Sequence, residues 1–160
     1  MSQSASRDRP SNPDWEAVLE DTDSLFLRIA RINRATDLVA LVRSSLKSPM
    51  TRIAAMRALA HMDQGITLQV LPELVDIAAH SHRDALLARQ AIGRLPYEAV
   101  ARRLSDVVMP RLPTADDDEY RRLAELLDHL GLYDLLRTLV DAALASDDVN
   151  TREVGEDFRA

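Results

Sequence analysis

One helical pattern recurs along this chain, and the recurrence constrains its fold more than any other feature. Thr51-Arg-Ile-Ala-Ala-Met-Arg-Ala-Leu-Ala-His-Met62 lies over Asp84-Ala-Leu-Leu-Ala-Arg-Gln-Ala-Ile-Gly-Arg-Leu95, and both lie over Glu119-Tyr-Arg-Arg-Leu-Ala-Glu-Leu-Leu-Asp-His-Leu130. Ala55, Ala88 and Leu123 align, as do Leu59, Ile92 and Leu127, then Met62, Leu95 and Leu130, at offsets of 33 and 35 residues. Helix pairs of this length cannot bury their apolar faces alone and must stack on neighbours, so the spacing predicts an α-solenoid. No segment alternates with period two between hairpin turn residues. The chain therefore reads as all-α, with about seven to nine helices.

The organisation follows from periodicity and breakers. Residues 1–13 hold four Ser and two Pro without apolar periodicity and read as a disordered tail. Residues 14–160 read as a single helical-repeat domain. Trp15, Val18, Leu19, Phe26 and Ile29 mark a first helical stripe, which Asp21-Thr-Asp-Ser24 either splits or leaves whole. Trp15 reads as a cap over the first helix pair rather than a binding anchor, and Met50, Met56, Met62 and Met109 as fillers of core gaps. A helix capped by Thr36 or Asp37 ends at Ser48-Pro49. The segment from Ile66 to Ala79 is helical, with Pro72 near its start or kinking it. Gly131 reads as the C′ residue closing the third recurring helix. Leu132, Leu135, Leu136, Leu139, Val140, Ala143 and Leu144 then form the most regular stripe in the chain. The segment after Asp147 is either a polar terminal cap or an open edge.

The Thr51-Arg52-x-x-Ala55 start, the Ala91-Ile92-Gly93 ending, and Asp147-Asp148 followed by Val149 and Arg152 together resemble the second helix of the HEAT-repeat family. Leu71-Pro-Glu-Leu-Val75 resembles its first helix. The resemblance covers about residues 36–160. It implies a non-catalytic protein-interaction module or scaffold whose second helices line a shared groove. Polar residues recur there at i and i+4: Arg57/His61, Gln90/Arg94 and Glu125/His129, with Arg52 and Arg89 nearby. These eight are the candidate partner-binding residues, the arginines being suited to carboxylate or phosphate. An amphipathic helix needs a polar face whatever its function, which is the plainer account of the same ladder.

Composition narrows the chemistry. With no Cys there is no disulfide framework, thiolate metal site or cysteine nucleophile. No Gly-rich phosphate loop or Gly-x-Ser-x-Gly elbow occurs. His80-Ser-His82-Arg-Asp84 has the spacing of a metallohydrolase ligand motif but joins two helices and lacks further ligands, so a metal-dependent hydrolase is the remote alternative. Asp116-Asp-Asp-Glu119 is contiguous and reads as a helix start rather than a cation site. No catalytic residue, metal or cofactor is expected. With no apolar stretch near the length of a bilayer span and no signal-like start, a cytoplasmic protein without membrane contact is expected.

The net charge of −6 hides an asymmetry. Residues 1–23 carry −4, residues 24–112 carry +6, and residues 113–160 carry −8. The basic middle suits an acidic segment of a protein partner; alternatively it suits nucleic acid. It also allows homo-oligomers in which the acidic C-terminal end of one copy meets the basic middle of another.

Overall fold

The computed structural model describes residues 12–80 and 83–159. Among these there are ten α-helices, one short 3-10 helix and no strand, so the chain is all-α. The ten exceed the seven to nine read from periodicity because of short breaks that periodicity passes over. The helices are α1 (Pro13–Ile32), α2 (Leu38–Lys47), α3 (Arg52–Leu59), α4 (Gln64–Gln69), α5 (Leu71–His80) and α6 (Ala85–Gly93). They continue with α7 (Tyr97–Val108), a 3-10 helix (Met109–Thr114), α8 (Asp117–His129), α9 (Tyr133–Leu144) and α10 (Val149–Asp157). Among the described residues, no helix is long and apolar enough to cross a membrane.

Two compact units divide at Thr36/Asp37. The first is built on α1, a single helix that runs straight through Asp21–Ser24. Asn12 caps it by accepting from the backbone N–H groups of Asp14 and Trp15, and Pro13 occupies the first turn, where a missing N–H costs nothing. Its apolar residues are largely uncovered. Trp15 is 59% exposed, which corrects its reading as a packed cap.

The second unit holds α2 to α10. Here α2 packs on α3, α5 on α6 and α8, and α8 on α9, with α10 resting on both α8 and α9. The buried stripe runs through Leu46, Leu74, Val75, Ile92, Leu104, Leu123, Leu127 and Leu139, all 1% exposed or less. Of the methionines, Met56 is buried, Met62 and Met109 are partly covered, and Met50 is fully exposed, so Met50 fills no gap.

Local chemistry explains the boundaries. Pro72 does not kink a long helix but sits in the first turn of α5, where its lack of an N–H is harmless; the chain breaks before it at Val70. Pro110 and Pro113 turn the end of α7 into a 3-10 segment. In α8, Asp116 accepts from the Glu119 N–H, and three acidic residues in the first turn face the positive end of the helix dipole. Its far end closes on Gly131, whose φ of 67° is the left-handed conformation that glycine adopts without penalty. Gly131 N–H donates to the Asp128 carbonyl and Leu132 N–H to the Leu127 carbonyl, both at 2.9 Å, the paired bonds of a Schellman end. Asp148 caps α10 through the N–H and hydroxyl of Thr151, and these bonds hold its carboxyl below the usual range.

Candidate functional site

The recurring polar residues meet three different fates. Arg57 and His61 project from α3 and its C-terminal turn, and Gln90 and Arg94 from α6 and its C-cap. All four line one groove, whose floor is Met56, Ala60, Leu87 and Ala91 and whose cavity is about 280 Å³. The sequence register causes this directly: α3 packs against α6, and residues one turn apart on each helix share a face. Arg57, His61, Gln90 and Arg94 are all solvent-exposed, so their heads reach water above an apolar base.

Arg52, Arg89 and Glu125 are spent internally. Arg89 Nη2 donates to Glu125 Oε2 at 2.6 Å, with the two side chains only 16% and 30% exposed. Burial pushes the Glu125 carboxyl up, but the hydrogen bond from Arg89 and the charges of Arg122 and Arg89 outweigh it, and its pKa lies below the ordinary value. Arg52 Nε donates to the Leu46 carbonyl at 2.9 Å, and its Nη1 lies 3.5 Å from Asp84 Oδ2. Asp84 stands at the N-cap of α6 without a side-chain cap bond, its carboxylate turned to Arg52.

His129 lies elsewhere, on the rim of an apolar cavity of about 230 Å³ with Ile92, Leu95, Tyr97, Val100, Leu130 and Leu132. The eight residues thus do not form one continuous surface. Four share a groove, three brace neighbouring helices, and one borders a separate hollow.

Sequence reasoning missed the system of ion pairs to which Arg89 belongs. Arg52–Asp84 joins α3 to the start of α6, Arg89–Glu125 joins α6 to α8, and Arg121–Asp157, at 2.8 Å, joins α8 to α10. On the other helices, Arg43 of α2 pairs with Glu73 of α5, and Arg111 of the 3-10 helix pairs with Asp76 of α5 at 3.0 Å and with Glu119 at 3.2 Å. Four of these side-chain bonds span 30, 36, 35 and 36 residues. The available signal was opposite charge at the repeat spacing, which a search for polar positions on one face does not register.

For the His80-x-His82-x-Asp84 spacing, His82 lies outside the described residues. His80 Nδ1 is 3.0 Å from the Asp76 carbonyl, and its Nε2 is 3.6 Å from Glu119 Oε2. Among the described residues no group of three His, Asp or Glu side chains converges on a point where a metal ion would sit.

Comparison with protein-family models, with curated proteins and with solved structures gives no match.

Proposed function

We propose that this chain is a HEAT-like α-solenoid acting as a non-catalytic scaffold, and that it binds an acidic segment of a protein partner in the groove between α3 and α6. Support for the repeat comes from pairings that recur. The helices α2, α5 and α9 each pack on the helix that follows, α3, α6 and α10, as the first and second helices of a repeat. Arg52 and Arg152, equivalent in the repeat pattern, both donate to a carbonyl six residues upstream, Leu46 at 2.9 Å and Ser146 at 2.7 Å. The ion pairs one repeat apart fit the same scheme.

The observation that carries the binding reading is the composition of the groove: two arginines and a glutamine at the rim, beside His61, over an apolar floor. Guanidinium groups bind carboxylates in a fork, and an apolar floor accepts side-chain methylenes. Nucleic acid is the weaker reading, because Arg43, Arg52, Arg89 and Arg111 of the basic middle already hold internal carboxylates. A polyanion track needs many free cations in a row.

Fluorescence anisotropy with a labelled Asp/Glu-rich peptide tests this. The Arg57→Ala/Arg94→Ala double variant should lose about tenfold or more in affinity, the loss expected when charge-assisted hydrogen bonds are removed. Unchanged affinity removes the groove as the site. Tight, steeply salt-dependent binding of labelled DNA with no peptide binding replaces the reading with the nucleic-acid one.

A further inference from the structure

We propose that the groove between α3 and α6 takes a phosphorylated side chain of its protein partner, so that phosphorylation of the partner switches binding on. This rests on the groove reading and names the group that the groove selects. Arg57 and Arg94 pair with no carboxylate among the described residues, whereas Arg43, Arg52, Arg89, Arg111 and Arg121 each hold one. None of the described residues lining the groove is acidic. Two guanidinium groups therefore share one hollow of about 280 Å³ without a counter-charge, over the apolar floor of Met56, Ala60, Leu87 and Ala91. Such a floor keeps water from one side and strengthens the attraction of the two cations for an anion.

The helices that carry these groups are tied together at both ends. At their starts Arg52 Nη1 lies 3.5 Å from Asp84 Oδ2, and at the far end the Gln64 side chain donates to the Arg94 carbonyl at 3.4 Å. The backbone under the donors is therefore fixed before an anion arrives, which lowers the ordering cost of binding. The closeness of the charges then selects the anion. A carboxylate offers a single charge on two oxygens, and two carboxylates crowded into one hollow repel each other. A phosphoryl monoester carries a charge of about −1.5 to −2 on one group with three strong acceptor oxygens near neutral pH. It answers both guanidinium forks at once and leaves an oxygen for the Gln90 amide. The floor identifies the source. It covers the methylenes beside a phosphoryl group in a protein chain, whereas a free phosphate ion has nothing to lay there.

Fluorescence anisotropy of the full chain with three labelled peptides reads the selection. The peptides share one Asp/Glu-flanked sequence and differ only at the centre, which is serine, glutamate or phosphoserine. The phosphoserine peptide should bind about tenfold more tightly than the glutamate one, as expected for charge-assisted bonds to a more highly charged group. Arg57→Lys/Arg94→Lys keeps both charges but loses the forks, and should remove most of that advantage while the glutamate peptide still binds. Equal affinity of the phosphoserine and glutamate peptides overturns the proposal and leaves the groove reading standing; no binding by any of the three removes both. An advantage that survives Arg57→Ala/Arg94→Ala puts the phosphoryl group elsewhere and overturns the proposal too. So does inorganic phosphate that displaces the phosphopeptide at concentrations near the peptide's own Kd, because the groove then takes the free ion. Arg57 and Arg94 are exposed, so these variants should keep their helices, which far-UV circular dichroism checks.

Discussion

The helices α1 and α9 both carry apolar stripes and end in opposite environments. In α9, Leu136, Leu139, Val140 and Ala143 are buried against α8 and α10. In α1, one residue of the stripe is buried and the rest stand half in water. An apolar stripe therefore reports that a helix has a face to cover, not that the same chain covers it. Hydrophobic burial is non-directional and contributes only when area actually leaves water.

Substitutions that remove comparable side chains from the two helices should separate them sharply. Leu139→Ala, at a site with no exposure, should cost about 2–5 kcal/mol in chemical denaturation, since it leaves a cavity in a packed core. Gly155 of α10 offers a second probe of the covered side. A Cβ added there would lie 2.9 Å from Leu144 Cγ and 3.1 Å from the Leu144 backbone nitrogen. Gly155→Ala should therefore cost about 1–3 kcal/mol by forcing α10 off α9. A neutral result at either site means that α9 is no better packed than α1.

Smaller effects test the ion pair between α6 and α8. Glu125→Gln should cost about 1 kcal/mol near neutral pH, as expected for a partly shielded charged hydrogen bond. The sign with pH follows from the lowered pKa of Glu125. Its contribution is complete above the unfolded carboxylate pKa and is lost as pH falls through the lower, folded one. The gap in melting temperature between the native chain and Glu125→Gln should therefore close on acidification, and a gap independent of pH excludes this carboxylate as its source. At the bottom of the scale, Leu19→Ala on the open face of α1 should change the stability of the monomer by about 0.5 kcal/mol or less. A loss comparable to that of Leu139→Ala would show that the face is covered within one chain.

The helices were legible because their signals are local. The 3.6-residue period, the helix start at Asp116–Glu119 and the Gly131 end each depend on residues within a turn or two, and the structure places them as the sequence implied. The helix count was low because a break costs only one or two backbone bonds: Val70 separates α4 from α5 without disturbing the apolar period. Trp15 and Met50 were misjudged for another reason. Large apolar side chains are usually covered, and nothing in their neighbourhood in the chain states whether a surface reaches them.

The candidate site was legible by half. The register that aligned Arg57/His61 with Gln90/Arg94 does bring them into one groove, because α3 and α6 are neighbours and the pattern shared by both fixes the same face. It failed at Arg52, Arg89 and Glu125, where the same polar face meets an opposite charge on the adjoining helix. The sequence by itself determined an all-α chain, the bounds of most helices and the polar side of each. Only the tertiary structure decided which polar groups remain open to solvent. Helix formation is settled within a few residues of backbone, whereas the freedom of an arginine depends on a carboxylate some thirty residues away that only packing brings near.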